Sequence, residues 1–145
     1  MFDLVLFSLT RDQALFGHII LGLALIVLPA LVLLFLKSDK GLARLIAGLA
    51  AVVSWVLLFP AGVLYLTFYP ATKTLVKAGA WPWAHAVVME TKEHWGLLLP
   101  VIATVAAFLV FTDRGEESKK WWYLTIALTV LLAVLGQVIK MGALQ

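Results

Sequence analysis

The chain has 145 residues, of which 63% are hydrophobic and 13% charged, with a mean hydropathy of +1.04; soluble domains are about half apolar and a quarter charged. Too little polar surface exists to coat a water-facing globule, which excludes an ordinary soluble domain and predicts an integral membrane protein. The absence of cysteine excludes disulfides, thiolate metal sites, iron–sulfur clusters and covalently attached haem. A net charge of only +3, spread without basic runs, excludes nucleic acid as a partner.

In chain order, Met1 to Leu9 is predicted to lie along the membrane interface. It carries no basic n-region or small-residue cleavage site, so the first apolar segment is expected to remain in the mature chain. Four windows without Asp, Glu, Lys or Arg follow, 13–36, 46–72, 94–112 and 121–139. At 1.5 Å per residue a hydrocarbon core of roughly 30 Å takes about 20 residues, which these windows meet or closely approach. The expected architecture is all-α: one domain, an integral membrane four-helix bundle running up-down-up-down, with helices over 13–37, 41–68, 83–112 and 120–142.

Lys37-Ser38-Asp39-Lys40 with Arg44 joins helices one and two, and Asp113 to Lys120 joins three and four; these two links share a side and hold six of the eleven Lys and Arg residues. The positive-inside rule makes that side cytoplasmic and both termini external, in what reads as a prokaryotic cytoplasmic membrane. The connection from Tyr69 to Glu93 is mixed, with Pro70, Gly79 and Pro82 at its start and a helix predicted from Ala84. Trp81, Trp83, Trp95, Trp121, Trp122 and Tyr123 suit the headgroup zone. Pro29, Pro60 and Pro100 interrupt helices one to three.

Three histidines occur, His18, His85 and His94. His18 stands 19 positions before Lys37 and His94 stands 19 before Asp113, so both lie about 28 Å from the same boundary. Two level imidazoles on the diagonal helices of a bundle are the donor set of a bis-His haem. Facing helices are thin at that depth, with Pro60, Ala61, Gly62 and Gly136. Arg11, Lys92 and the Trp81 indole are candidate partners for haem propionates. His85 and Met89, four apart on one helix face, form a second candidate metal-ligand pair. Glu90 shares a face with His94 and is the candidate proton acceptor.

On His18 in Phe16-Gly17-His18-Ile19 and His94 in Glu93-His94-Trp95-Gly96, across four spans, the chain resembles the four-helix membrane b-type cytochromes. The resemblance implies haem b and quinone-linked or haem-to-haem electron transfer, with quinol and an extracytoplasmic redox protein as partners besides the lipid bilayer. Dihaem members generally use two histidine pairs, whereas three histidines here complete one. Two other readings fit the sequence: an accessory or anchoring subunit bound to other membrane subunits, and a metal-handling or transport protein using His85, Met89 and Glu93.

Overall fold

The computed structural model describes residues 9–144. Among them four long helices run α1 (Arg11–Phe35), α2 (Lys40–Ala78), α3 (Ala84–Phe111) and α4 (Gly115–Gly142), each long and apolar enough to cross a membrane. The interfacial reading of Met1 to Leu9 falls outside the described residues except for Leu9, which is irregular. α1 packs on α2, α2 on α3, α3 on α4 and α4 on α1. The helices therefore form a ring in which α1 and α3 are diagonal.

One pattern explains why each helix turns the face it does. Residues inside the bundle advance by alternating steps of four and three: Ala14, His18, Leu21, Leu25, Leu28 and Val32 on α1; Ala43, Ala47, Ala50, Ser54, Leu57 and Ala61 on α2; Lys92, Gly96, Leu99, Ala103, Ala106 and Val110 on α3; Ser118, Trp122, Thr125, Thr129, Leu132, Gly136 and Ile139 on α4. All are buried or half-buried. That spacing is the seam of side-by-side helix packing at a shallow crossing angle. Opposite faces stay greasy and uncovered, as at Phe16 (68% exposed), Leu34 (67%) and Leu45 (70%).

Near the two short links, Trp122 is fully buried among Val32, Ala43, Ala47, Ala50, Ala106, Ala107 and Val110; alanines from α2 and α3 leave the volume that the indole fills. The middle is a leucine layer of Leu25, Leu57, Leu99, Leu128 and Leu132. Helix starts are capped locally. Gln13 N–H donates to Thr10 Oγ1 at 3.3 Å while Thr10 N–H donates to Gln13 Oε1 at 2.9 Å, and Leu42 N–H donates to Asp39 Oδ1 at 2.9 Å. Each cap satisfies donors that a helix N-terminus leaves unpaired.

The connection expected over 69–93 is mostly helix. α2 passes through a π turn at Leu64–Phe68 and continues as α-helix over Tyr69–Ala78. Pro70 lies in the first turn of that continuation, where a missing N–H is tolerated, so it does not end the helix. After a short turn α3 begins with a second π turn, Ala84–Met89, and is α-helical over Glu90–Phe111. α4 starts at Gly115, earlier than the charges of Glu116 to Lys120 suggested.

Truncating Trp122 to Ala should cost about 3–5 kcal/mol and lower the thermal unfolding midpoint in detergent, whereas truncation of Trp55, which is 53% exposed, should change it far less. Equal shifts for the two would overturn the assignment of the inner face.

Candidate functional site

The ionisable side chains inside the bundle gather at the end away from the short links, while the buried hydroxyls of Ser54, Ser118, Thr125 and Thr129 are spread along it and each donates to a carbonyl of its own helix. α1 brings His18 inward on its seam, and the imidazole Nδ1 is buried with no hydrogen-bond partner among the described residues. From the diagonal helix α3, the seam brings Lys92. Its side chain lies over Gly136 of α4, where an added Cβ would stand 3.6 Å from Lys92 Cε and 3.9 Å from Nζ. An alanine at 136 would therefore meet the lysine at ordinary van der Waals distance. Lys92 is close enough to act electrostatically on His18.

Beside Lys92, Glu93 is half-buried, and its Oε1 is buried without a hydrogen-bond partner among the described residues. The ion pairs found among those residues, such as Arg44 with Asp113 at 2.8 Å and Lys119 with Glu116 at 2.6 Å, all lie at the link end, and none includes Lys92 or Glu93. An ammonium, an imidazole and a carboxylate thus share this end of the interior without pairing off at contact distance. Such groups cost several kcal/mol each to bury unpaired, and packing has no use for them.

A second cluster adjoins the first, one step farther from the links. Tyr69 Oη lies 3.0 Å from His85 Nδ1, and both residues are buried. Tyr65 stacks on Tyr69 with ring centroids 5.6 Å apart. Glu93 and Glu90 act electrostatically on Tyr69, and Lys73, Lys77 and Glu90 act on His85. Both partners of the hydrogen bond are placed by the π turns: Tyr69 follows the first directly and His85 lies within the second.

Several sequence-predicted residues fall elsewhere. His94 is exposed, and its Nδ1 lies 2.7 Å from the Glu90 carbonyl oxygen of its own helix. It is two residues from Lys92, so about 200° around α3; with Lys92 inside, His94 faces out. The structure therefore sets Lys92, and not His94, across the diagonal from His18. Glu90 shares the outward face with His94 and is exposed. Met89 is buried with Tyr69, Val88 and Ile139, in apolar packing. Arg11 is exposed. Trp81 stacks on Trp83 at 5.8 Å and lies against Gly142.

These placements bear on a haem. His18, with its buried unpartnered nitrogen, fits one axial position, but the outward His94 supplies no ligand on the opposite side, so the pair does not fit a bis-His haem inside the bundle. Among the described residues no group of three or more His, Asp or Glu side chains is placed to hold a metal ion. Sequence reasoning missed Tyr65 and Tyr69 as site residues, and it named Lys92 only as a propionate partner near the outer surface, not as a group of the inner seam. Continuing the steps Val110, Ala106, Ala103, Leu99 and Gly96 by one more places Lys92 on the inner face. Compared with protein-family models, curated proteins and solved structures, the chain matches none.

Because Lys92 makes no described ion pair, Lys92→Met, which keeps the stem and removes the charge, should stabilise the protein by about 1–3 kcal/mol. Thermal unfolding in detergent reads this; a lowered midpoint would show that the ammonium has an interior partner.

Proposed function

We propose that the chain is an integral membrane protein with four spans whose working site is the interior cluster of His18, Lys92 and Glu93, and that it exchanges protons and electrons with a lipid-soluble carrier of the quinol class. The observation that carries this reading is Lys92 on the inner seam of α3, across the diagonal from His18, in a bundle whose outer faces are uncovered leucine, valine and phenylalanine. Ionisable residues inside apolar spans are rare, and they mark substrate and proton pathways.

A quinone ring presents two oxygens that accept hydrogen bonds, and reduction or oxidation moves protons at those oxygens. Lys92 and His18 are donors on opposite sides of the site, and Glu93 is the base beside them. The carrier reaches them from the bilayer, between helices that small residues such as Gly17 and Gly136 keep thin, and a redox partner completes the electron transfer. The haem reading is carried only by His18 and is set behind this one.

The test is binding of a short-chain benzoquinone to the purified protein, followed by tryptophan quenching. Lys92→Met should weaken it about tenfold, the value of one charge-assisted hydrogen bond. No saturable binding to the wild type would overturn the proposal, as would a low-spin haem spectrum that both His18→Ala and His94→Ala abolish.

The orientation that goes with this reading puts the short links in the cytoplasm and the interior site near the outer face. A cysteine introduced at the exposed Ser38 turn should react with a membrane-impermeant thiol reagent only after the cells are opened; labelling of intact cells would invert the topology.

A further inference from the structure

The interior cluster stops short of the bundle's end, and the Tyr69–His85 pair occupies the distance between them. We propose that this pair is a proton relay connecting Glu93 with the water beyond the π turns. The inference rests on the reading of the interior as a site that exchanges protons, and it goes beyond it by naming the route.

Four observations point the same way. The hydrogen bond of 3.0 Å joins two groups that each accept and release a proton, a phenol and an imidazole. Both side chains are buried, Tyr69 at 8% and His85 at 7% exposed, so the link is shielded from solvent along its length. Charged groups flank it: Glu90 and Glu93 of α3 act on Tyr69, Lys73 and Lys77 of α2 together with Glu90 act on His85, and Tyr65 stacks against Tyr69. The fourth helix faces the pair with the apolar Ile139. Finally, the pair is assembled at two π turns, which are rare in helices and frequently lie at functional sites.

The step conserves atoms and charge and needs no oxidant. A proton arriving at His85 Nε2 makes the imidazole cationic, and the ring then donates from Nδ1 to Tyr69 Oη. As that proton moves, the phenol releases its own toward the Glu93 carboxylate through one water. Rotation of the hydroxyl and exchange of the imidazole proton reset the pair. Movement in the other direction discharges a proton from Glu93 to the outside by the same bonds.

The experiment is a rapid pH jump on purified protein without quinone, with the Glu93 carboxyl followed by time-resolved infrared spectroscopy and its band identified by loss in Glu93→Gln. Tyr69→Phe keeps the ring and its stacking on Tyr65 but removes the hydroxyl, and should slow the Glu93 response about tenfold or more while leaving its end point in place. His85→Asn keeps a hydrogen-bonding group near Nδ1 but has no second ring nitrogen, and should slow it likewise. A wild-type rate in His85→Asn would show a hydrogen bond that only closes the core, and would overturn the relay. A wild-type rate in Tyr69→Phe would do the same. Because no quinone is present, these outcomes leave the quinone assignment standing, and absent quinone binding leaves the measured relay rates standing.

Discussion

Everything in this molecule depends on close approach of four helices along seams spaced by four and three residues. In a bilayer, helices with apolar outer faces gain little by hiding apolar inner ones from lipid, so association there comes from packing density and from the few polar contacts available. The small residues of the seams, Ala43, Ala47, Ala50, Ala103, Ala106 and Gly136, supply that approach. They also decide where large side chains can stand. Trp122 packs among alanines of α2 and α3, and Lys92 lies alongside Gly136.

The two ends of the bundle are stabilised differently. At the link end, Arg44 of α2 reaches Asp113 at 2.8 Å, Lys40 approaches the same carboxylate at 3.7 Å, and Lys37 approaches Glu116 at 3.9 Å. These pairs are exposed and individually contribute no more than about 1 kcal/mol, but they tie one link to the other. α3 closes there on Asp113 in the left-handed region, φ 60°, where aspartate is among the more tolerated non-glycine residues. Arg114 N–H then donates back to the Leu109 carbonyl at 2.8 Å, which satisfies one of the carbonyls that a helix end leaves unpaired. The opposite end has no such charge lattice among the described residues; it has π turns, stacked tyrosines and the buried His85.

Much of this was legible in the sequence. Uncharged windows located the helices, the equal distances of His18 and His94 from their links placed the polar layer at one end, and the cluster of Pro60, Ala61 and Gly136 marked the thin neighbours at that depth. Relative angles on α3 were also readable: His85, Met89 and Glu93 on one face, Glu90 and His94 on another. What periodicity of the histidines alone did not give was which of those faces points inward. That is decided by the run of Leu99, Ala103, Ala106 and Val110, and it turns the first face in and the second out. The extension of α2 to Ala78 was hidden for a different reason. Pro70, Lys73 and Lys77 read as a loop, and a π turn is a backbone register with no residue signature that marks it.

The shift from His94 to Lys92 changes the chemistry that the interior can support. Two neutral imidazoles across a diagonal would be a pair of soft nitrogen donors, suited to a metal. An imidazole opposite an ammonium, with a carboxylate next to it, is a donor and acceptor set suited to a neutral or partly anionic oxygen ligand and to its protons. Keeping such a set unpaired is unfavourable for folding, and the cost is carried by the rest of the bundle: the leucine layer of Leu25, Leu57, Leu99, Leu128 and Leu132 directly beneath it, and the Trp122 core at the link end. The tightly packed layers nearer the links therefore set the geometry in which that unpaired set is held.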